Sequence, residues 1–375
     1  LVKALVTEFG FQQCVHDQAV FTFWSDDRLC GALAIHVDDI LFAGNDKMAA
    51  AMKSISNRFA FGSQKFDNFI HLGIEIKSSN DRSEVSLGQE SYIAVLSPIE
   101  LGPSRAQQTD SPLTSDEQHR LRMLTGGIMW IAGMTRPDIS VDASMLAGKL
   151  HRPTVQDVVT ANKIVRYLKG SSSHVVVYRK LKGPLRVLAY SDSAFQNLDQ
   201  GRSQAGHLVM IAEEDSAGTA PVSIQAGDAT FLTRDIKVAL MSWKSSRHRR
   251  VVRSTFSAEL LASTNSFDSA SWFASLFAEM TTGVRVRNEI PIDLRTDCEN
   301  LVASTKSLRI QATEKRLYGE IWALREALES SEIRTFKHVP TVMMVADGLT
   351  KIQPKLRFKL LSAIGGQVSV PASLK

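Results

Sequence analysis

From Leu185 to Val339 the order of apolar patterns leaves few folds open to this chain. Three strand-like runs, Arg186 to Asp192, Gly206 to Ala212 and about Val238 to Lys244, come before a long helical pattern from about Thr255 to Met280. Phe256, Leu260, Phe267, Phe273, Phe277 and Met280 mark the apolar face of that helix. A fourth strand follows at Ile292 to Asp297. Then come a helix from Thr313 to Glu329 carrying Leu317, Ile321, Leu324 and Leu328, a fifth strand at Ile333 to Val339, and a short helix after Ala346. The order βββαβαβα predicts an α/β unit, a mixed five-stranded sheet with flanking helices. A Gly/Ala/Asp-rich insertion from about Glu213 to Asp228 interrupts it, and its fold is not legible.

The first half reads differently. Ala19 to Trp24 and Leu33 to Val37 are strand-like and joined by Ser25-Asp26-Asp27; Ile40 to Gly44 leads out after Asp38-Asp39. A helix is expected from Lys47 to Arg58 and a strand from Phe69 to Lys77. The polar stretch Gly102 to Gln118 looks like a connector. Helical spacing recurs from about Glu117 to Gly133 and from Val155 to Leu168.

Composition narrows the function classes. The chain has 375 residues, 44% hydrophobic and 22% charged, enough for several ordered domains. No run approaches the roughly 18 to 20 apolar residues of a membrane span. Cys14, Cys30 and Cys298 lie far apart and the nine histidines are scattered, so neither a disulfide scaffold nor a zinc site is expected. A formal charge of +5 is compatible with nucleic acid and proves nothing. The opening Leu1-Val2-Lys3 has neither an initiator Met nor a signal-peptide layout and reads as part of a longer chain.

Two groups of carboxylates stand out. Asp38 and Asp39 are adjacent at the end of an apolar strand, where neighbours point to opposite faces; an ordinary turn explains them equally well. Asp192 ends the first strand of the second half, Glu259 sits one turn into the long helix, Asp297 ends the fourth strand and Asp347 opens the last helix. Singly, each fits a cap or a helix-dipole partner. Together, three of the four fall at strand ends or helix starts, where a mixed sheet places ligand sites. Between the third strand and the long helix, Lys244, Arg247, Arg249, Arg250 and Arg253 concentrate positive charge. They are either a solvated turn or a phosphate-gripping segment.

Several segments resemble the copia-type reverse transcriptase and its ribonuclease H domain. Ala34-Ile35-His36-Val37-Asp38-Asp39-Ile40-Leu41 is similar to the family's Tyr-Val-Asp-Asp hairpin, with His36 where an aromatic is usual. Phe9-Gly10-Phe11-Gln12-Gln13 through Val20-Phe21, His71-Leu72-Gly73-Ile74-Glu75-Ile76, Thr135-Arg136-Pro137-Asp138-Ile139 and Lys163-Ile164-Val165-Arg166-Tyr167-Leu168-Lys169-Gly170 resemble further segments in the family's order. Tyr190-Ser191-Asp192, Arg202-Ser203-Gln204-Ala205-Gly206, Ser242-Trp243-Lys244-Ser245, Ser257-Ala258-Glu259 and Ala346-Asp347-Gly348-Leu349-Thr350-Lys351 resemble the ribonuclease H part. Together the matches span nearly the whole chain.

The resemblance implies an α+β palm remnant with the start of a thumb at 1–101, thumb and connection helices at 102–184, a ribonuclease H-like domain at 185–360 and a tail at 361–375. It implies that Asp192, Glu259, Asp297 and Asp347 bind two Mg2+ ions, with Mn2+ as a substitute, and that the RNA strand of an RNA–DNA hybrid is hydrolysed. Lys244, Arg247, Arg249, Arg250 and Arg253 would grip the DNA strand through its phosphates. His338 is the nearest candidate for a histidine that helps product leave; an exposed strand-end histidine is the plainer reading. Asp38, and less directly Asp39, would be polymerase metal positions whose third aspartate lies before residue 1, so this chain alone is not expected to polymerise. Template-primer and the remainder of a Pol polyprotein, including integrase, are the implied partners. The implied location is a cytoplasmic virus-like particle, with the nucleus as a second compartment. The competing reading is a decayed or domesticated copy that binds nucleic acid without catalysis.

Overall fold

The computed structural model describes residues 1–214, 221–226, 229–283, 290–307 and 314–372. Near the N-terminus, α1 (Val2–Thr7) is followed by an antiparallel sheet of β1 (Gln12–Gln13), β2 (Val20–Ser25), β3 (Arg28–His36) and β4 (Asp39–Gly44), paired in that order. Helix α2 (Asp46–Arg58) starts at Asn45, whose side chain accepts from the Lys47 and Met48 amides. Its Met48, Met52 and Ile55 share a core with Phe21 and Leu33 of the sheet.

A second antiparallel sheet contains β5 (Asn68–His71), β6 (Ile74–Ser78), β7 (Glu84–Gly88) and β8 (Val176–Arg179). The single strand expected over Phe69 to Lys77 is therefore a hairpin. Leu72 and Gly73 both take positive φ, 49° and 74°, and fold the chain back on itself. Between β7 and β8 lie α3 (Glu90–Val95), α4 (Pro103–Ala106), α5 (Ser115–Met134), α6 (Ser140–Lys149) and α7 (Val155–Gly170). Capping boxes set the starts of α5 and α7: Thr114 with Glu117, and Thr154 with Asp157. Leu121, Leu124, Ile128, Ile131, Val158 and Val165 bury the apolar faces read from the sequence.

The remaining chain forms β9 (Leu185–Leu198), β10 (Arg202–Glu213), β11 (Val222–Ala226), β12 (Ala229–Arg247), α8 (Thr255–Thr282), β13 (Ile292–Thr296), α9 (Glu299–Lys306), α10 (Tyr318–Glu329), β14 (Ile333–His338), α11 (Pro354–Ile364) and β15 (Gln367–Pro371). The sheet order is β11-β12-β10-β9-β13-β14, with β15 also on β12. Pairing is antiparallel from β12 to β9 and parallel from β9 to β14. The expected five-stranded mixed sheet is present, extended by β11 and β15. Successive residues of β9 serve opposite faces: Val187 and Ala189 pack with α8 and α10, Leu188 and Tyr190 with α11.

Two expectations need correction, and one segment not legible from sequence is partly described. Residues 361–375 are not a loose tail, because α11 runs to Ile364 and β15 buries Val368 and Val370 against β12; residues 373–375 lie outside the described residues. The helix expected from Thr313 begins as a helical turn at Lys315–Leu317 and as α10 at Tyr318, and Thr313 itself lies outside the described residues. In the 213–228 insertion, Val222–Ala226 pairs back onto β12; residues 215–220 and 227–228 lie outside the described residues.

The Thr135–Ile139 segment holds a buried ion pair. Arg136 donates to both Asp138 carboxylate oxygens at 2.8 Å and to the Ser171 carbonyl at 2.9 Å; the Tyr167 hydroxyl donates to Asp138 at 2.7 Å. All of these satisfy charges that are fully shut off from water. Arg136→Ala would leave the Asp138 charge buried and unmatched, so urea denaturation should show a loss of about 3–5 kcal/mol. The Arg136→Ala, Asp138→Ala double variant should lose less than the sum of the singles. A single-variant loss under about 1 kcal/mol would contradict this account.

Candidate metal centre and basic cleft

Strand β13 pairs in parallel with β9 from Ile292↔Val187 to Arg295↔Tyr190 and ends at Thr296. Continuing that register by two residues sets Asp297 beside Asp192. The crevice beyond the carboxyl ends of parallel strands is where α/β sheets bind ligands. Asp192 lies inside β9, not at its end as expected, because β9 continues to Leu198 in antiparallel pairing with β10. Asp347 arrives on a short helical turn, Val345–Leu349, well before α11. That turn rests on Gly206, the β10 residue opposite Asp192. A Cβ at Gly206 would come within 2.5 Å of Leu349 Cβ, so a larger residue would push the turn off the sheet.

One carboxylate oxygen from each of Asp192, Asp297 and Asp347 lies within 4.8 Å of the others. Glu259 is adjacent but outside that distance. It sits in the first turns of α8, whose start is fixed by the Ser254 side chain accepting from the Ser257 amide. Its Oε1 accepts from the Ser193 amide at 3.1 Å; its Oε2 is buried with no partner among the described residues. Burial pushes the Asp192 carboxyl up to about 6, with Lys351 pulling it down and Asp347 pushing it further up. Glu259 is held well above its ordinary range by burial and by the charges of Asp192 and Asp297.

Three other residues complete the setting. Lys351 Nζ is 2.5 Å from Asp347 Oδ1 and 3.6 Å from Asp192 Oδ2. Thr350 donates its hydroxyl to Asp192, and Thr341 donates to Asp297 at 2.9 Å. Thr350 and Lys351 lie within the Ala346–Lys351 segment, where sequence alone assigns them no role. The position of Lys351, four residues after Asp347, was the available signal. An orphaned carboxylate oxygen, two carboxyls raised by burial and by neighbouring charges, and hard oxygen donors on three separate elements fit a divalent cation.

The other candidates stand apart from this cluster. Val37 and Asp38 form the two-residue turn between β3 and β4, with Val37 at φ 54°, and His36 opposes Asp39. His36 to Asp39 are all exposed, and no third acidic, His or Cys side chain joins the pair among the described residues. His338 ends β14 opposite Thr296, at the same end of the sheet as Asp297, and is half-buried. Lys244, Arg247, Arg249 and Arg250 line a cleft of about 530 Å³ beside α8, together with His207 and His248. Arg253 is exposed on the connector but does not line the cleft. Arg250 is already paired with Glu320 at 2.9 Å. His248, which the sequence reading passed over, is within 3.0 Å of the Ser193 hydroxyl and so ties the cleft to the strand that carries Asp192.

No protein-family model matches the chain. It is 26% identical over 382 residues to the retrovirus-related Pol polyprotein from transposon RE1 of Arabidopsis thaliana, covering 97% of this chain and 23% of that protein. The corresponding polyprotein from transposon RE2 of the same plant is 24% identical over 390 residues, covering 99% of this chain and 24% of that protein. The chain thus spans about a quarter of the length of these relatives. Among solved structures, the RNase H1 of the halophilic archaeon Halobacterium salinarum is 18% identical, covering 44% of this chain and 94% of that chain with a TM-score of 0.28. The chain is a relative of the retrovirus-related Pol polyproteins of transposons, consistent with a fragment of a copia-type Pol.

Proposed function

We propose that residues 185–360 form a ribonuclease H domain that uses Mg2+, or Mn2+ in its place, to hydrolyse the RNA strand of RNA–DNA hybrids. Residues 1–184 would be palm, thumb and connection parts of a reverse transcriptase. One observation carries the reading: three aspartates from separate elements converge within 4.8 Å, beside a buried glutamate with an unpartnered oxygen.

Asp192, Asp297, Asp347 and Glu259 would hold the metal. When bound, divalent cations would supply a hydroxide nucleophile at neutral pH and stabilise the leaving 3′-oxygen. The protein's own part is electrostatic. Without cations, the acidic cluster repels a phosphodiester, so substrate and metal are expected to bind together. Burial and the charges of Asp192 and Asp297 hold the Glu259 carboxyl well above its ordinary range, so metal entry would favour its charged form and oppose protonation there. Arg247, Arg249 and Lys244, exposed along the cleft, would take the phosphates of the other strand without reading bases. Asp38 and Asp39 are exposed and no third acid joins them among the described residues, so as polymerase metal positions they would need an aspartate from elsewhere. Hybrid, template-primer and the remaining parts of a Pol polyprotein are the proposed partners. The alternative of binding without catalysis is what the first test below separates.

Labelled RNA–DNA hybrid should lose its RNA strand in Mg2+ and remain intact in EDTA, and Asp192→Asn should abolish cleavage. Binding of hybrid with no cleavage in any divalent cation would leave only the non-catalytic reading. The same substitution should stabilise the metal-free protein. Asp192 has a folded pKa raised from 3.8 to about 6, so its contribution is present below pH 3.8 and lost as pH rises through 6. At pH 7 Asp192→Asn should therefore gain about 1–3 kcal/mol by denaturation, and no gain would refute the claim that burial disfavours the Asp192 charge. Cation affinity should fall as pH drops below about 6, by up to roughly tenfold per pH step for each proton displaced. Calorimetry in buffers of different ionisation enthalpy would detect the released protons. Finally, the Arg247→Ala, Arg249→Ala double variant should weaken hybrid binding and flatten its log–log salt slope by about 2. Arg250→Ala should do less, since Glu320 already neutralises it; equal slopes in all three proteins would remove the cleft from the binding surface.

A further inference from the structure

We propose that Lys351 is a displaceable counter-ion: its ammonium holds the metal-free acidic cluster together and withdraws when a divalent cation enters, so it sets the affinity of the centre. The inference rests on the metal-dependent reading above and concerns a residue that reading does not use.

The ammonium contacts two of the three converging aspartates, at 2.5 Å from Asp347 Oδ1 and 3.6 Å from Asp192 Oδ2. Those are oxygens a cation would need, so lysine and cation compete for the same donors. The side chain is able to leave. It is 36% exposed, carries its charge on a flexible four-carbon stem, and follows the Val345–Leu349 turn without forming part of the sheet. Its swing would leave the elements bearing the aspartates in place.

Lys359 makes the contrast. Its Nζ lies 3.8 Å from Asp347 Oδ2 but donates to the Thr341 and Met344 carbonyls at 3.1 and 2.9 Å, and it is less exposed, at 22%. Two backbone acceptors fix it as background charge, so of the two lysines only Lys351 is free to exchange. Nor does Lys351 finish the job of neutralisation. Glu259 Oε2 remains buried without a partner, although Glu259 is close enough to interact electrostatically with Asp192 and Asp297. Lys351 acts on Glu259 only through its field and less strongly than burial and the two aspartates, whereas divalent charge between the acids would oppose them directly.

The test is calorimetric titration of Mn2+, then Mg2+, into the full chain as wild type, Lys351→Gln and Lys351→Arg, with denaturation of each metal-free protein. Lys351→Gln should bind Mn2+ roughly tenfold tighter, because no like charge has to be displaced. Lys351→Arg, which keeps the charge, should stay within about threefold of wild type. Metal-free Lys351→Gln should be less stable than wild type, and saturating Mn2+ should bring the two together. Equal or weaker binding by Lys351→Gln, with wild type still binding, would overturn this inference and leave the metal centre standing. No binding by any of the three proteins would overturn both. Cation binding that follows the expected order without hybrid cleavage would support the counter-ion role and count against the ribonuclease reading alone.

Discussion

The burial of carboxylates close to one another is the constraint around which the second half of this chain is arranged. Asp192, Glu259, Asp297 and Asp347 are all drawn to one end of a sheet by the packing of the elements that carry them. Lys351 pairs with Asp347 and nears Asp192, but burial and neighbouring charges still hold the Asp192 and Glu259 carboxyls above their ordinary range. The same strand shows what a satisfied acid looks like. Asp293, four residues before Asp297, is as buried as Asp192, and burial works against its charge; yet bonds from Arg334, with Arg295 and Arg186 close by, hold it below the usual carboxylate range. One end of β13 is thus neutralised by arginines, and the other is left short of cations. That asymmetry separates a structural ion-pair network from a ligand site.

The architecture holds this unfavourable end in place from several directions. Val187 and Ala189 anchor β9 to α8 and α10, while Leu188 and Tyr190 anchor it to α11, so Asp192 rides on a strand that is buried on both faces. The absence of a side chain at Gly206 lets the Asp347 turn settle on the sheet. The helical layer in front contributes too: Trp243 donates to the Ala132 carbonyl at 2.7 Å, and Arg357 pairs with Asp142 at 2.9 Å. At its far end α8 meets the N-terminal sheet, where Glu279 accepts from the Val15 and His16 amides. Helix α8 therefore carries one member of the acidic cluster and also joins the first module to the last.

Much of this was legible in the residues. The βββαβαβα order, the long apolar face of α8, the α5 and α7 helices and the strands flanking Asp38-Asp39 follow from periodicities that burial imposes on any half-buried helix or strand. What escaped is equally instructive. β15 and β8 are short and gain their stability from pairing with strands far off in sequence. The hairpin at Leu72-Gly73 hides within one apolar run, because a two-residue turn barely interrupts the pattern. Helix α6 is rich in small residues and shows little contrast between its faces.

For the candidate site, the sequence alone determined which acids were candidates and roughly where on their elements they lie, since residue type and local pattern are properties of the chain itself. It could not tell Asp297, which joins a cluster, from Asp38 and Asp39, which sit in water at a hairpin tip. Nor could it give Lys351 its place between two aspartates. Charge–charge energies depend on distances between residues remote in sequence and on how much water lies between them, and only the closing of the sheet decides both.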